Sequence, residues 1–160
     1  MAASTSVELL LLRHGIAEAR VAGLDHPDRA LTQRGRERSR AVLKALVRRG
    51  LQLDRLISSP LLRARETAAI AQEVGLAPLL SLDERLRPGG QLGDLIEGLQ
   101  ESVVLVGHEP DLSALACRLL GLSQGRLALR KAGVVHLRCL DGAWTLQALL
   151  RPRLILDTSA

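Results

Sequence analysis

Four consecutive leucines, Leu9-Leu10-Leu11-Leu12, run without a spacer into Arg13-His14-Gly15. A short apolar run closed by Gly reads as a buried strand, so Arg13 and His14 stand at its carboxyl end. In open α/β sheets that edge is where ligands bind. A guanidinium beside an imidazole there suits a phosphate group, with Arg13 clamping oxygens and His14 free to attack phosphorus. The same pair could equally cap a strand end, and a triplet alone does not separate the two readings.

The layout recurs. Val103-Val104-Leu105-Val106 is a second β-branched apolar run, followed by Gly107-His108-Glu109-Pro110 and an apolar-periodic stretch over 111–120. Pro110 suits a first helical position, where its missing N–H costs nothing, so His108 is predicted just before a helix N-terminus. Leu56-Ile57-Ser58-Ser59-Pro60 is a third copy. Here Ser59 reads as N-cap and Pro60 as the first helical residue, which puts Arg63 about one turn into the helix. Each residue alone has a plain structural reading: Arg63 as a solvated helix arginine, His108 as a hydrogen-bonded turn residue. Three strand ends offering Arg13, His14, Arg63 and His108 together point to a site.

Along the whole chain the pattern predicts strands over 7–12, 55–58, near 79, 103–106, 133–140 and 143–150. Helices are predicted over 32–49, 60–74, 91–99 and 110–120. Asp141-Gly142 between the last two strands is a hairpin signal. Alternating strands and helices argue a three-layer α/β/α fold, with a mainly parallel central sheet and an antiparallel C-terminal hairpin edge. At 160 residues the expectation is a single domain over 1–160 with its core at about 7–150.

Arg13-His14-Gly15, Ser59-Pro60-Leu61-Leu62-Arg63-Ala64 with Glu66-Thr67-Ala68, and Val106-Gly107-His108-Glu109-Pro110 resemble, in order, the signature segments of the histidine phosphatase superfamily. Leu31-Thr32-Gln33-Arg34-Gly35 resembles the Leu-Thr-x-x-Gly segment that opens the first helix of that family, and the short chain is similar to its SixA-type phosphohistidine phosphatases. The resemblance implies His14 as a nucleophile that becomes phosphorylated. It implies Arg13, Arg63 and His108 as ligands of the phosphoryl oxygens. A phosphoryl group in transfer spreads negative charge over three equatorial oxygens, and two guanidiniums with a second imidazole supply countercharge. No Cys-x-x-Cys, His-Glu-x-x-His or Asp-rich calcium loop occurs, so neither a metal nor another cofactor is expected.

The family's broad phosphomonoesterases carry a carboxylic acid that protonates the leaving oxygen, and Glu84 best matches its position. Asp83 is adjacent, and Arg85 or Arg87 could ion-pair with either. An alkoxide needs that proton, whereas imidazole leaving from phosphohistidine has a pKa of about 6.5 and can carry its own. The stretches 16–31 and 84–90 leave little chain for a lid, and an open pocket admits a side chain on a protein. The expected activity is therefore a metal-independent phosphatase acting on phosphohistidine in a protein of the histidine-phosphotransfer type. Two alternatives stand beside it: a small-molecule phosphomonoesterase, and a module that binds phosphorylated partners without turning them over.

Composition narrows the partners. Phe and Tyr are absent and Trp144 stands alone, so no stacking platform for single-stranded nucleic acid exists. The net charge of +5 is carried almost wholly by arginine. Arg34, Arg36, Arg38 and Arg40 spread around a helix and are read as a solvated face paired with Glu37, against a nucleic-acid surface. Cys117 and Cys139 lack metal or secreted-disulfide spacing and are read as buried free thiols. The apolar run near the N-terminus is too short for a signal peptide and no stretch approaches a membrane span, so a cytoplasmic location is expected. His26 is read as a turn residue that could line the pocket mouth, and His136 as a structural strand residue.

Overall fold

The structure is a computed structural model and describes residues 6–156. Six strands, β1 (Ser6–Arg13), β2 (Arg55–Ser58), β3 (Leu79–Leu82), β4 (Val103–Gly107), β5 (Val134–Leu140) and β6 (Ala143–Leu150), form one sheet in the order β3-β2-β4-β1-β5-β6. β1, β4, β2 and β3 run parallel, while β5 and β6 are antiparallel and joined at Asp141-Gly142. Asp141 and Gly142 both have positive φ, the conformation a two-residue hairpin turn demands. Helices α1 (Gln33–Arg48), α2 (Leu62–Glu73), α3 (Asp111–Leu119) and α4 (Pro152–Leu156) cover the two faces.

The four-leucine run is explained by this sandwich. Leu10 and Leu12 face a core shared with α1 and α2, through Val42, Leu46, Ala64 and Ala68. Leu9 and Leu11 face the opposite core, with Leu112 and Leu115 of α3. Period-2 geometry with both faces apolar gives an unbroken hydrophobic run. β4 divides the same way, with Val104 and Val106 on one side and Val103 and Leu105 on the other.

Several boundaries differ from the sequence reading. The predicted helix over 91–99 is only a 3₁₀ turn, Leu92–Leu95. Gly93 and Gly98 interrupt the segment, each costing about 1 kcal/mol in a helix. Leu92, Leu95 and Ile96 are buried nonetheless, so their spacing reports packing and not helicity. α2 starts at Leu62 with Leu61 as N-cap, and Pro110 is the N-cap of α3 and not its first residue. α4 escapes periodicity analysis at five residues. Cys117 is buried, but Cys139 lies partly exposed near the turn of the β5–β6 hairpin. Arg36 and Arg40 pair with Glu66 and Glu73 of α2, not with Glu37, which instead accepts from Gln33.

Candidate active site

The parallel register sets β1, β2 and β4 side by side, with Leu12 opposite Val106 and Ser58 opposite the same valine. Their carboxyl ends therefore coincide. One residue further on, the His14 amide donates to Gly107 O (3.1 Å) and the Ser59 amide to Val106 O (2.9 Å), so the backbone ladder itself brings His14, Ser59 and His108 together.

The chain then turns under α1 with almost no clearance. A Cβ on Gly35 would lie 2.0 Å from the Ile16 carbonyl oxygen, and one on Gly15 would lie 2.3 Å from Ser39 Oγ. Thr32 caps α1 by accepting from the Gly35 amide (2.9 Å), and its own amide donates to Ile16 O (2.9 Å). Thr67 of α2 accepts from the Gly15 amide (3.0 Å) and donates to Arg63 O (2.7 Å). Glu66 receives the Leu31 amide (2.6 Å) and Arg36 (2.7 Å). The Leu-Thr-x-x-Gly and Glu-Thr segments are thus the braces that fix the loop carrying His14.

His14, Arg63 and His108 are all buried, Arg63 being only 2% exposed. The two imidazoles stand with ring centroids 5.2 Å apart and tilted by 54°. His14 Nδ1 lies 2.7 Å from Gly15 O. A carbonyl oxygen only accepts, so Nδ1 holds the proton and Nε2 keeps its lone pair. Arg63 Nε points at that Nε2 from 3.3 Å, while Arg63 Nη2 donates to Asp25 (3.1 Å). Burial, with the charges of His108, Arg63 and Arg13 adding to it, pushes the His14 pKa down to about 3. His108 is pushed down to about 4, first by burial and then by Arg63. Both rings are neutral at pH 7.

His108 Nε2 is 2.8 Å from Ser59 Oγ, which also accepts from the Leu61 amide (3.3 Å). Arg13 is held by its Nη1 on Leu129 O (2.8 Å), and Leu129 is in turn held by its amide on Glu109 (3.2 Å). The other oxygen of Glu109 accepts the Ser113 amide (2.9 Å). At this site three buried nitrogens have no hydrogen-bond partner among the described residues: Arg13 Nε, Arg63 Nη1 and His108 Nδ1. All three side chains line one cavity of about 520 Å³. With Ser59 Oγ accepting from Leu61 and its O–H donating to His108 Nε2, the neutral ring carries its proton on Nδ1, so all three are donors; unpaired buried donors are costly, and an anion with several oxygens relieves them.

The sequence-derived residues Arg13, His14, Arg63 and His108 are therefore brought together, and Glu84 is not. Glu84 is exposed, ion-pairs with Arg87 and lies outside the cavity lining. The carboxylates that do line the cavity are Glu18, Asp25 and Glu109. Burial raises the Asp25 pKa, but the hydrogen bonds from Arg29 and the charges of Arg63, Arg29 and Arg20 outweigh it, and the net shift is downward. Asp25 is a fixed carboxylate that anchors Arg63. The loop between β1 and α1 supplies seven of the thirteen lining residues, among them Glu18, Arg20, Asp25 and Arg29. That stretch is the pocket wall and not merely a short connection. Sequence reasoning missed these residues and Lys131 because an irregular loop has no period to read; the one local signal was Asp25-His26-Pro27-Asp28. His26 itself is exposed, accepts from the Asp28 amide (3.1 Å) and does not line the cavity. His136 lies in β5, 3.3 Å from Glu8. Among the described residues no group of three or more His, Cys, Asp or Glu side chains is placed to hold a metal ion, and no helix is long and apolar enough to cross a membrane.

The fold is shared with the protein histidine phosphatase SixA complexed with tungstate (TM-score 0.78, 24% identity), over 91% of this chain and 97% of that one. It is also shared with a mutant phosphoserine phosphatase from Entamoeba histolytica in complex with phosphoserine (TM-score 0.67, 17% identity), over 92% and 98% of the two chains. In sequence the chain is 38% identical over 161 residues to an uncharacterized protein of Picosynechococcus sp. (strain ATCC 27264 / PCC 7002 / PR-6), covering 96% of both. Residues 9–88 match the profile of the histidine phosphatase superfamily, branch 1. By that match, and by the site at its strand ends, the chain belongs to the histidine phosphatase superfamily.

Proposed function

We propose that the protein is a phosphatase that removes phosphate from phosphohistidine in a protein, through a phosphohistidine intermediate of its own at His14. The observation that carries this reading is the His14 tautomer: Nδ1–H is spent on Gly15 O, which leaves the Nε2 lone pair buried, neutral and facing Arg63. In the first step Nε2 attacks phosphorus as the P–N bond to the leaving imidazole breaks, and that imidazole departs with a proton near neutral pH. In the second, water attacks the phosphoryl group, the His14–phosphorus bond breaks, and inorganic phosphate leaves as Nε2 recovers its electron pair. Arg13, Arg63 and His108 supply the free donors for the three equatorial oxygens. A P–N substrate suits a lining in which Asp25 is ion-paired and Glu109 is bonded to two amides. The tungstate bound to the SixA relative is an oxyanion of similar shape.

The second reading is a phosphomonoesterase for small phosphate esters. It is favoured by Glu18, a lining carboxylate with an exposed side chain that could protonate an alkoxide, and by the phosphoserine bound to the Entamoeba relative.

Mass spectrometry after a rapid quench at neutral to alkaline pH should find acid-labile phosphate on His14. His14→Ala should lose at least about a hundredfold in kcat, since removing a covalent nucleophile usually costs several powers of ten. Activity should persist in EDTA. kcat/KM should be higher for a phosphorylated histidine-phosphotransfer domain than for an alkyl phosphate; the reverse order favours the ester reading, and an alanine variant near wild-type activity removes His14 as nucleophile.

A further inference from the structure

Beside the catalytic cavity lies a second groove of about 530 Å³ whose charged lining is entirely basic. Arg34 and Arg38 enter it from α1, Arg130 and Lys131 from the segment before β5, and Arg151 and Arg153 from the start of α4. Arg13 and Lys131 line both cavities, so the two are continuous.

Cations without carboxylate partners converge on this groove. On α1, Arg36 and Arg40 pair with Glu66 and Glu73 at 2.7 Å, whereas Arg34 and Arg38 point the other way, into the groove. Among the described residues none of the groove's arginines, nor Lys131, has a carboxylate within ion-pair distance; Arg48, Arg49, Arg65, Arg118 and Arg126 also lack one, but they are not among the residues lining this groove, on which seven such cations converge. Clustered cations of one sign raise each other's energy and focus a field on the concavity, which an anionic partner relieves. Lys131, which lines both cavities, has its pKa lowered by burial and then by Arg13, Arg29, Arg20 and Arg63, the last three being arginines of the neighbouring catalytic cavity.

We propose that this groove docks an acidic segment of the phosphorylated protein substrate, holding it so that its phosphorylated side chain enters the His14 cavity; this rests on the phosphoprotein reading given above. Guanidinium groups bind carboxylates in bidentate pairs, and arginine clusters recognise acidic motifs. The only aromatic residue among those described, Trp144, is paired with Cys139 on β5–β6 and lies outside the groove, so bases of a nucleic acid would find no stacking surface there.

The test compares wild type with Arg34→Glu/Arg38→Glu, two positions outside the catalytic cavity, with thermal melting as the check on folding. At ~50 mM salt the double variant should raise KM for a phosphorylated histidine-phosphotransfer domain by about tenfold or more, an effect that shrinks as salt screens it. Its kinetics on p-nitrophenyl phosphate should stay within about twofold of wild type, the groove being remote from a small ester. A labelled decaglutamate peptide should bind wild type and not the variant. Unchanged KM for the phosphoprotein overturns the proposal, as does a groove that binds duplex DNA or inorganic polyphosphate more tightly than decaglutamate at equal salt. If wild type hydrolyses no phosphoprotein, the functional reading fails separately, and decaglutamate binding that depends on Arg34 and Arg38 still decides the groove.

Discussion

Arg63 does three things with one planar group: it faces the His14 lone pair, it is anchored by Asp25, and it leaves Nη1 free toward the cavity. An ammonium cannot reproduce that fork. Arg63→Lys should therefore lose almost as much kcat as Arg63→Ala, on the order of 10²–10⁴; a lysine variant with full activity would reduce Arg63 to a source of general positive field. The carboxylates allow a sharper separation of the two substrate readings. Glu84 is tied to Arg87 outside the cavity, so Glu84→Gln should leave alkyl phosphate hydrolysis within about tenfold of wild type, well short of the ~10²–10⁴ typical of a lost general acid. Glu18→Gln should show that larger loss on alkyl phosphates only if the ester reading holds, and little change on phosphohistidine in either case. A large loss in Glu84→Gln confined to alkyl phosphates would restore Glu84 as the proton donor.

At the scale of elements, the His14 loop is fixed by how closely α1 approaches it. Gly35→Ala must push the Ile16 carbonyl aside, a contact of 2.0 Å against rigid backbone, and overpacking of this kind costs about 1–3 kcal/mol. Denaturation should register that loss together with a fall in kcat, because the same backbone carries His14; a variant of wild-type stability would show that the loop is free to shift. This brace was legible in the sequence as Leu31-Thr32-Gln33-Arg34-Gly35, and the strand ends were legible because buried strands leave unbroken apolar runs. The Asp25, Arg29 and Lys131 side of the pocket was not, since those residues sit on irregular segments whose neighbours in space are distant in sequence. The segment 91–99 misled for a related reason: Leu92, Leu95 and Ile96 repeat like one face of a helix, yet Gly93 and Gly98 let the backbone reach the same burial in a tighter turn.

The whole molecule carries the site as a stability cost that depends on pH. His14 and His108 are held at pKa values of about 3 and about 4, while the unfolded chain would titrate them at the ordinary value of 6.5. Above pH 6.5 both states hold the rings neutral and nothing is lost. Below it the unfolded chain binds two protons that the native chain refuses, so native stability falls as pH falls, by about 1.4 kcal/mol per pH unit for each ring. The His108 contribution ends near pH 4 and that of His14 near pH 3. Replacing both rings with His14→Asn/His108→Asn should flatten the curve of unfolding free energy against pH between 6.5 and 4, the carboxylates contributing equally to both proteins. The measurement belongs in a buffer free of phosphate, because an anion in the cavity would favour the protonated rings and raise both pKa values. Parallel curves for the two proteins would mean that the imidazoles titrate normally, and the neutral, nucleophilic His14 would then need another explanation. A steeper curve in wild type joins catalysis to folding: the burial that keeps the Nε2 lone pair available at neutral pH is the same burial that makes the fold acid-sensitive.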